Sequence, residues 1–132
     1  MKVMALDYGS ARTGVAVSDP TGTVARPLGV VEKAGAESGL AELGRLVRDE
    51  GVERVVVGLP LTMRGTRGEQ VVETERFVES LRGVVDVPVE LYDERFTTDL
   101  AQRNPHAAAA VDALAAAHLL SDWLERWNRA AS

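Results

Sequence analysis

The 132 residues contain no cysteine, which excludes a disulfide framework, a thiolate zinc site and a cysteine nucleophile. Only two histidines are present, a poor supply for a histidine-bound zinc centre. No apolar run reaches membrane-spanning length, so no membrane contact is expected. The start, Met1-Lys2-Val3-Met4-Ala5-Leu6-Asp7, meets charge too soon for a secretory leader, and a cytoplasmic location is expected by default. A basic surplus is missing too: 15 Lys and Arg stand against 20 Asp and Glu, a net charge of −5. Proteins that bind nucleic acid usually carry excess cations, and this total alone would favour an acidic enzyme or a binding module. Three carboxylates holding two divalent cations would, however, swing the local charge by roughly four units, so local charge decides. What is present suits one globular domain covering residues 1–132, with 45% hydrophobic and 27% charged residues.

Lys2 to Leu6 is apolar on both faces, as a central strand ending at Asp7 should be. Tyr8 to Arg12 reads as a polar turn, and Thr13 to Ser18 as a β-branched strand paired with the first in a hairpin. A third strand is expected over Val24–Val31, with Pro27 and Gly29 marking an edge or irregular position. Leu40, Leu43, Leu46 and Val47 recur at helical spacing within 36–50, and Gly51 stands where the helix should stop. Arg54 to Val57 is a short buried strand leading to Gly58-Leu59-Pro60. A loop rich in Gly, Thr and Arg runs to Gly68. A helix over 69–81 would present Val72, Phe77, Val78 and Leu81 inward. Val87 to Tyr92 reads as a fifth strand ending at Asp93 and Glu94. Thr97 can cap a short helix, and an alanine-rich helix closes the chain over about 107–127. The order predicts a mixed five-stranded α/β sheet, its first three strands antiparallel, flanked by helices.

Three acids stand at element ends. Asp7 ends the central strand, where loops of an open α/β sheet diverge and ligands gather; the plainer alternative is a turn aspartate bonding the Gly9 and Ser10 amides. Asp112 falls inside the apolar stripe of the last helix when positions are set at 100° per residue. A lone buried carboxylate is costly unless paired, hydrogen-bonded or metal-bound, so it is either a ligand or the partner of the helix dipole or a nearby arginine. Glu94 follows an apolar strand and could equally pair with Arg95 or Arg12. Carboxylates suit Mg²⁺ or Mn²⁺ over zinc.

The segments LDYGSARTGVAVSD (6–19), VVGLPLTMRGTRG (56–68), YDERFTT (92–98) and VDALAAAHLL (111–120) resemble, in order, the motifs of the YqgF family, also called RuvX. The resemblance spans nearly the whole chain, and the pairing of GLPL-x-M-x-GT with DER-x-TT is its specific part. It implies an RNase H-like fold and a Mg²⁺- or Mn²⁺-dependent nuclease, linked in bacteria to 5′-end maturation of pre-16S rRNA. An older label links the family to cleavage of Holliday junctions. By motif position Asp7, Glu94 and Asp112 match the family's proposed catalytic acids. Thr62 and Arg64 replace the usual Asn and Asp, making that loop more cationic. The connection Asn104-Pro105-His106 is shorter than usual and has neither Lys nor Arg.

On this reading two ions about 4 Å apart activate water and stabilise the leaving oxygen, with Asp7 bridging and Asp112 and Glu94 each holding one. The fifth strand would lie two places from the first, roughly 10 Å away, so Glu94 must reach inward. Arg12, Arg64, Arg67, Thr62 and Arg95 are candidates for contact with nucleic acid, either pre-rRNA or branched or single-stranded DNA. Arg67 could instead be solvated and Arg95 structural. Junction cleavage would call for a symmetric homodimer presenting two sites. Two rivals stand beside it: a sugar-kinase or actin-like ATPase, for which the chain is too short, and a non-catalytic RNase H-like scaffold.

Overall fold

In the computed structural model, residues 1–59, 68–93 and 108–131 are described. Five strands, β1 (Val3–Asp7), β2 (Arg12–Ser18), β3 (Ala25–Glu32), β4 (Arg54–Leu59) and β5 (Val89–Asp93), form one sheet in the order β3-β2-β1-β4-β5. β1 pairs antiparallel with β2 and parallel with β4; β2–β3 is antiparallel and β4–β5 parallel. This is the expected mixed RNase H-like sheet, and β5 does lie two places from β1.

The alternation along β1 explains why it sits at the centre. Met4 and Leu6 point into one apolar cluster with Leu43 and Val47 of α1 (Glu37–Asp49) and Phe77, Val78 and Leu81 of α2 (Glu69–Arg82). Val3 and Ala5 point the other way, onto Ala116, Leu119, Leu120, Trp123 and Leu124 of α3 (Ala108–Ala131). A strand buried on both sides has no polar face to spare, which gives the unbroken apolar run. The architecture is therefore three layers, with α1 and α2 on one face of the sheet and α3 on the other.

Several details differ from the sequence expectation. On α2 it is Val71, not Val72, that is buried; Val72 is 41% exposed. Thr74 occupies the inward position one turn on, its hydroxyl donating to the Gln70 carbonyl at 2.7 Å, which lets a polar residue stand in the stripe. Trp127 of α3 is 43% exposed, stacked on Trp123 with the Arg54 guanidinium over its ring. The edge position of β3 is as expected: Val15 faces Gly29 and Ala16 faces Pro27, leaving Leu28 as an extra residue in a bulge. Gly51 adopts φ +67°, the left-handed conformation that ends α1 where expected. Among the described residues no helix is long and apolar enough to cross a membrane. The expected short helix at Thr97 lies outside the described residues.

Candidate active site

Pleat parity places the first acid. Val3 and Ala5 face α3, so Asp7, two residues further along β1, belongs to the same face at the strand's end. The chain then turns tightly. Thr13 Oγ1 accepts from the Gly9 amide (3.3 Å) and donates back to the Gly9 carbonyl (3.4 Å). Gly9 is required here, since a Cβ would lie 2.5 Å from the Arg12 carbonyl oxygen. The Gly9 amide is thus engaged by the turn's own threonine.

Asp7 pairs in register with Gly14 of β2. Gly14 is also where α3 meets the sheet: a Cβ on it would lie 1.9 Å from the Asp112 carbonyl oxygen and 3.0 Å from the Ala113 nitrogen. The backbone of Asp112 therefore rests directly on a bare strand position, the one paired with Asp7. The backbones of two acids far apart in the sequence are thereby brought to neighbouring positions on one face of the sheet. Both are partly buried. Sequence reasoning missed Gly14, although a lone glycine inside a β-branched strand is a signal of close backbone approach.

Arg12 has the same parity as Gly14 and Ala16, and it too faces α3. Its Nε donates to Asp112 Oδ2 at 3.0 Å, with the two side chains 47% and 29% exposed. Asp112 is thus less buried than its place in the apolar stripe suggested, and the nearby arginine foreseen as its plainer partner is present. A pair this exposed contributes at most about 1 kcal/mol. The close packing on Gly14, rather than the ion pair, fixes where Asp112 stands.

On the same face of β5, Tyr92 packs against the α3 cluster, and its hydroxyl donates to Asp122 Oδ2. Burial first, then the Asp122 carboxylate, push the Tyr92 phenol well above its ordinary range. Arg126 completes the group, its Nε 3.6 Å from Asp122 Oδ2 and its guanidinium carbon 5.6 Å from the Tyr92 ring centre. On the opposite face Tyr8 stacks on Phe77 of α2 with ring centres 4.4 Å apart.

Glu94, Arg95, Thr62, Arg64 and Arg67 lie outside the described residues. Among the described residues no group of three or more His, Asp or Glu side chains is gathered for a metal. Asp7 and Asp112, the candidate ligands among the described residues, offer only hard oxygen donors, which fits Mg²⁺ or Mn²⁺ and does not fit zinc.

A family model described as RuvX, Holliday junction resolvase, matches residues 1–126. A Chloroflexus aggregans protein named "Putative pre-16S rRNA nuclease" is 42% identical over 131 residues, covering 93% of this chain and 92% of its own. The protein of the same name from Chloroflexus aurantiacus is 40% identical, covering 93% and 86%. Among solved structures, Thermus thermophilus RuvC in complex with Holliday junction substrate superposes with a TM-score of 0.60 at 18% identity, over 96% of this chain and 94% of that one. Fowlpox virus resolvase with Holliday junction DNA gives 0.55 at 9% identity, over 96% and 99%. The two structures share the fold, and the residue-level likeness across nearly the whole length shows that the chain belongs to the RuvX family.

Proposed function

We propose that this protein is a divalent-metal-dependent nuclease that trims the 5′ end of pre-16S rRNA. The observation that carries the reading is that Gly14 pairs in register with Asp7 and carries the backbone of Asp112 directly against it. The names carried by relatives near 40% identity supply the substrate.

Asp7 and Asp112, with Glu94 proposed from its motif position, would hold Mg²⁺ or Mn²⁺. When bound, the ions supply a water of lowered pKa and a counter-charge to the leaving oxygen. The protein's part is to orient. β1, central and buried on both faces, gives Asp7 a rigid base, and the bare Gly14 lets α3 approach closely enough to bring Asp112 beside it. Arg12 stands on the same edge. Held by no more than about 1 kcal/mol, its guanidinium is free to turn from Asp112 to a phosphate oxygen and orient the scissile strand. Thr62, Arg64, Arg67 and Arg95 are proposed as further substrate contacts on the strength of their motif positions.

The test is cleavage of three substrates, pre-16S 5′ ends, single-stranded DNA and four-way junctions, each with and without Mn²⁺. Mn²⁺-dependent trimming of the rRNA end is expected, abolished by Asp7→Asn and by Asp112→Asn with the fold intact. Full activity in either purified variant would remove the acid from the site. Preferential junction cleavage by a homodimer would favour the second reading, a DNA nuclease of recombination and repair, which the family's description suggests. Metal-independent inertness toward all three would leave an RNase H-like scaffold.

A further inference from the structure

Most cations among the described residues are neutralised close to home. Lys2 and Arg26 share Glu50, Arg45 lies between Glu42 and Asp49, and Arg54 holds Glu90. Lys33 differs. It is exposed and forms no ion pair with a described residue, although Glu32 precedes it.

Its backbone is unusual as well. Glycines aside, Lys33 alone among the described residues has a left-handed conformation, with φ +49°. That conformation crowds Cβ against the following carbonyl, so any residue but glycine is strained there. Such strain persists only where the surroundings over-determine it, and here they do. The Lys33 amide donates to the Ala11 carbonyl at 3.0 Å, and the Lys33 carbonyl accepts from the Ala36 amide at 2.9 Å. Ala34 is wholly buried. α1 closes on this corner through Gly39, where a Cβ would lie 2.2 Å from the Lys33 carbonyl oxygen. Glycine would make the same corner without strain, so the chain keeps a cation here at some cost to stability.

The corner adjoins the candidate site. Ala11 belongs to the turn between β1 and β2, one residue before Arg12, and Arg12 pairs in register with Glu32. Lys33 follows Glu32, so its backbone lies next to that of Arg12, at the same end of the sheet as Asp7. A lysine ammonium is a compact charge with three donors on a flexible stem, suited to a phosphate when its base is fixed.

We propose that Lys33 binds the substrate, taking a phosphate of single-stranded RNA beyond the one Arg12 contacts and leading the strand across the β2–β3 side of the site. The inference rests on the nuclease reading above and adds the direction in which the substrate extends from the site.

The experiment measures binding of a fluorescently labelled single-stranded RNA by anisotropy across a salt series, with Ca²⁺ in place of Mn²⁺ to hold cleavage back. Lys33→Gly should bind about three- to tenfold more weakly at low salt and lower the slope of log affinity against log salt by roughly 0.7 to 1. Its melting temperature should equal or exceed that of the wild type, because the left-handed corner is relaxed. Lys33→Ala, which keeps the strain, should lose binding to the same extent, so that the loss follows the charge and not the turn. Lys33→Arg keeps the charge and should stay within about twofold of the wild type. Arg129→Ala, which removes a cation near the far end of α3, should bind as the wild type does. Wild-type affinity and slope in Lys33→Gly would overturn the proposal alone, and so would an equal loss in Arg129→Ala. A wild-type protein that binds no RNA would overturn the nuclease reading and the proposal with it.

Discussion

Adding a single methyl group at Gly14 tests the packing that creates the site. The Cβ of Gly14→Ala would stand 1.9 Å from the Asp112 carbonyl oxygen, whereas such contacts are essentially never below 3.0 Å. The start of α3 must therefore retreat by at least about 1.1 Å, because both colliding atoms are backbone or Cβ and no rotamer relieves them. Overpacking of this kind costs about 1–3 kcal/mol. For a domain of this size that corresponds to a melting temperature lower by roughly 3–12 °C. A displacement of about 1 Å at a catalytic carboxylate can cost on the order of 100-fold in rate. The expected result is a folded protein with a modest drop in melting temperature and a disproportionate, roughly 100-fold, loss of Mn²⁺-dependent cleavage. Calorimetry and single-turnover kinetics on the same preparation separate the two effects. Gly14→Ala with wild-type stability and activity would refute the close approach of α3 to β2, and with it the account of how Asp112 is placed.

Other perturbations probe the frame and the grip. Ser18→Ala leaves the Val3 amide without the hydroxyl that accepts from it at 2.8 Å in a buried position, and denaturant unfolding should show a loss of about 1–3 kcal/mol. An unchanged midpoint would mean that another acceptor takes the amide. Asp19 is held well below the usual carboxylate range, first by the Thr21 hydroxyl and then by the Val24 and Thr23 amides. A depressed folded-state pKa means its contribution is present above about pH 4 and is lost as pH falls further. Asp19→Asn should therefore flatten the fall of melting temperature between about pH 5 and 2, and parallel curves would contradict this. Replacing Arg64 and Arg67 together by Ala should weaken RNA binding and lower the slope of log affinity against log salt by roughly two. An unchanged slope in a filter-binding series would take both residues out of the interface.

The amino-acid sequence by itself determined the layers. The doubly apolar β1 belongs at the centre of a sheet and the order of elements implies a mixed one, while the place of the fifth strand came from the family resemblance. Asp7 was legible because it breaks such a run at its end, and Asp112 because it interrupts an apolar helical stripe. Helix faces were legible to within a residue: Val71 rather than Val72 points inward, an angular error of 100° that a short stripe cannot exclude. The tertiary structure alone decided that two acids a hundred residues apart in the chain share one edge. That depends on the helix lying against a strand with no side chain at Gly14, a contact between backbones that leaves no periodic trace. The link from Tyr92 to Asp122 was hidden for a similar reason, since each residue reads locally as an ordinary polar position on an amphipathic element. Periodicity reports which side of an element faces the core; it carries no information about which residue of a distant element arrives there.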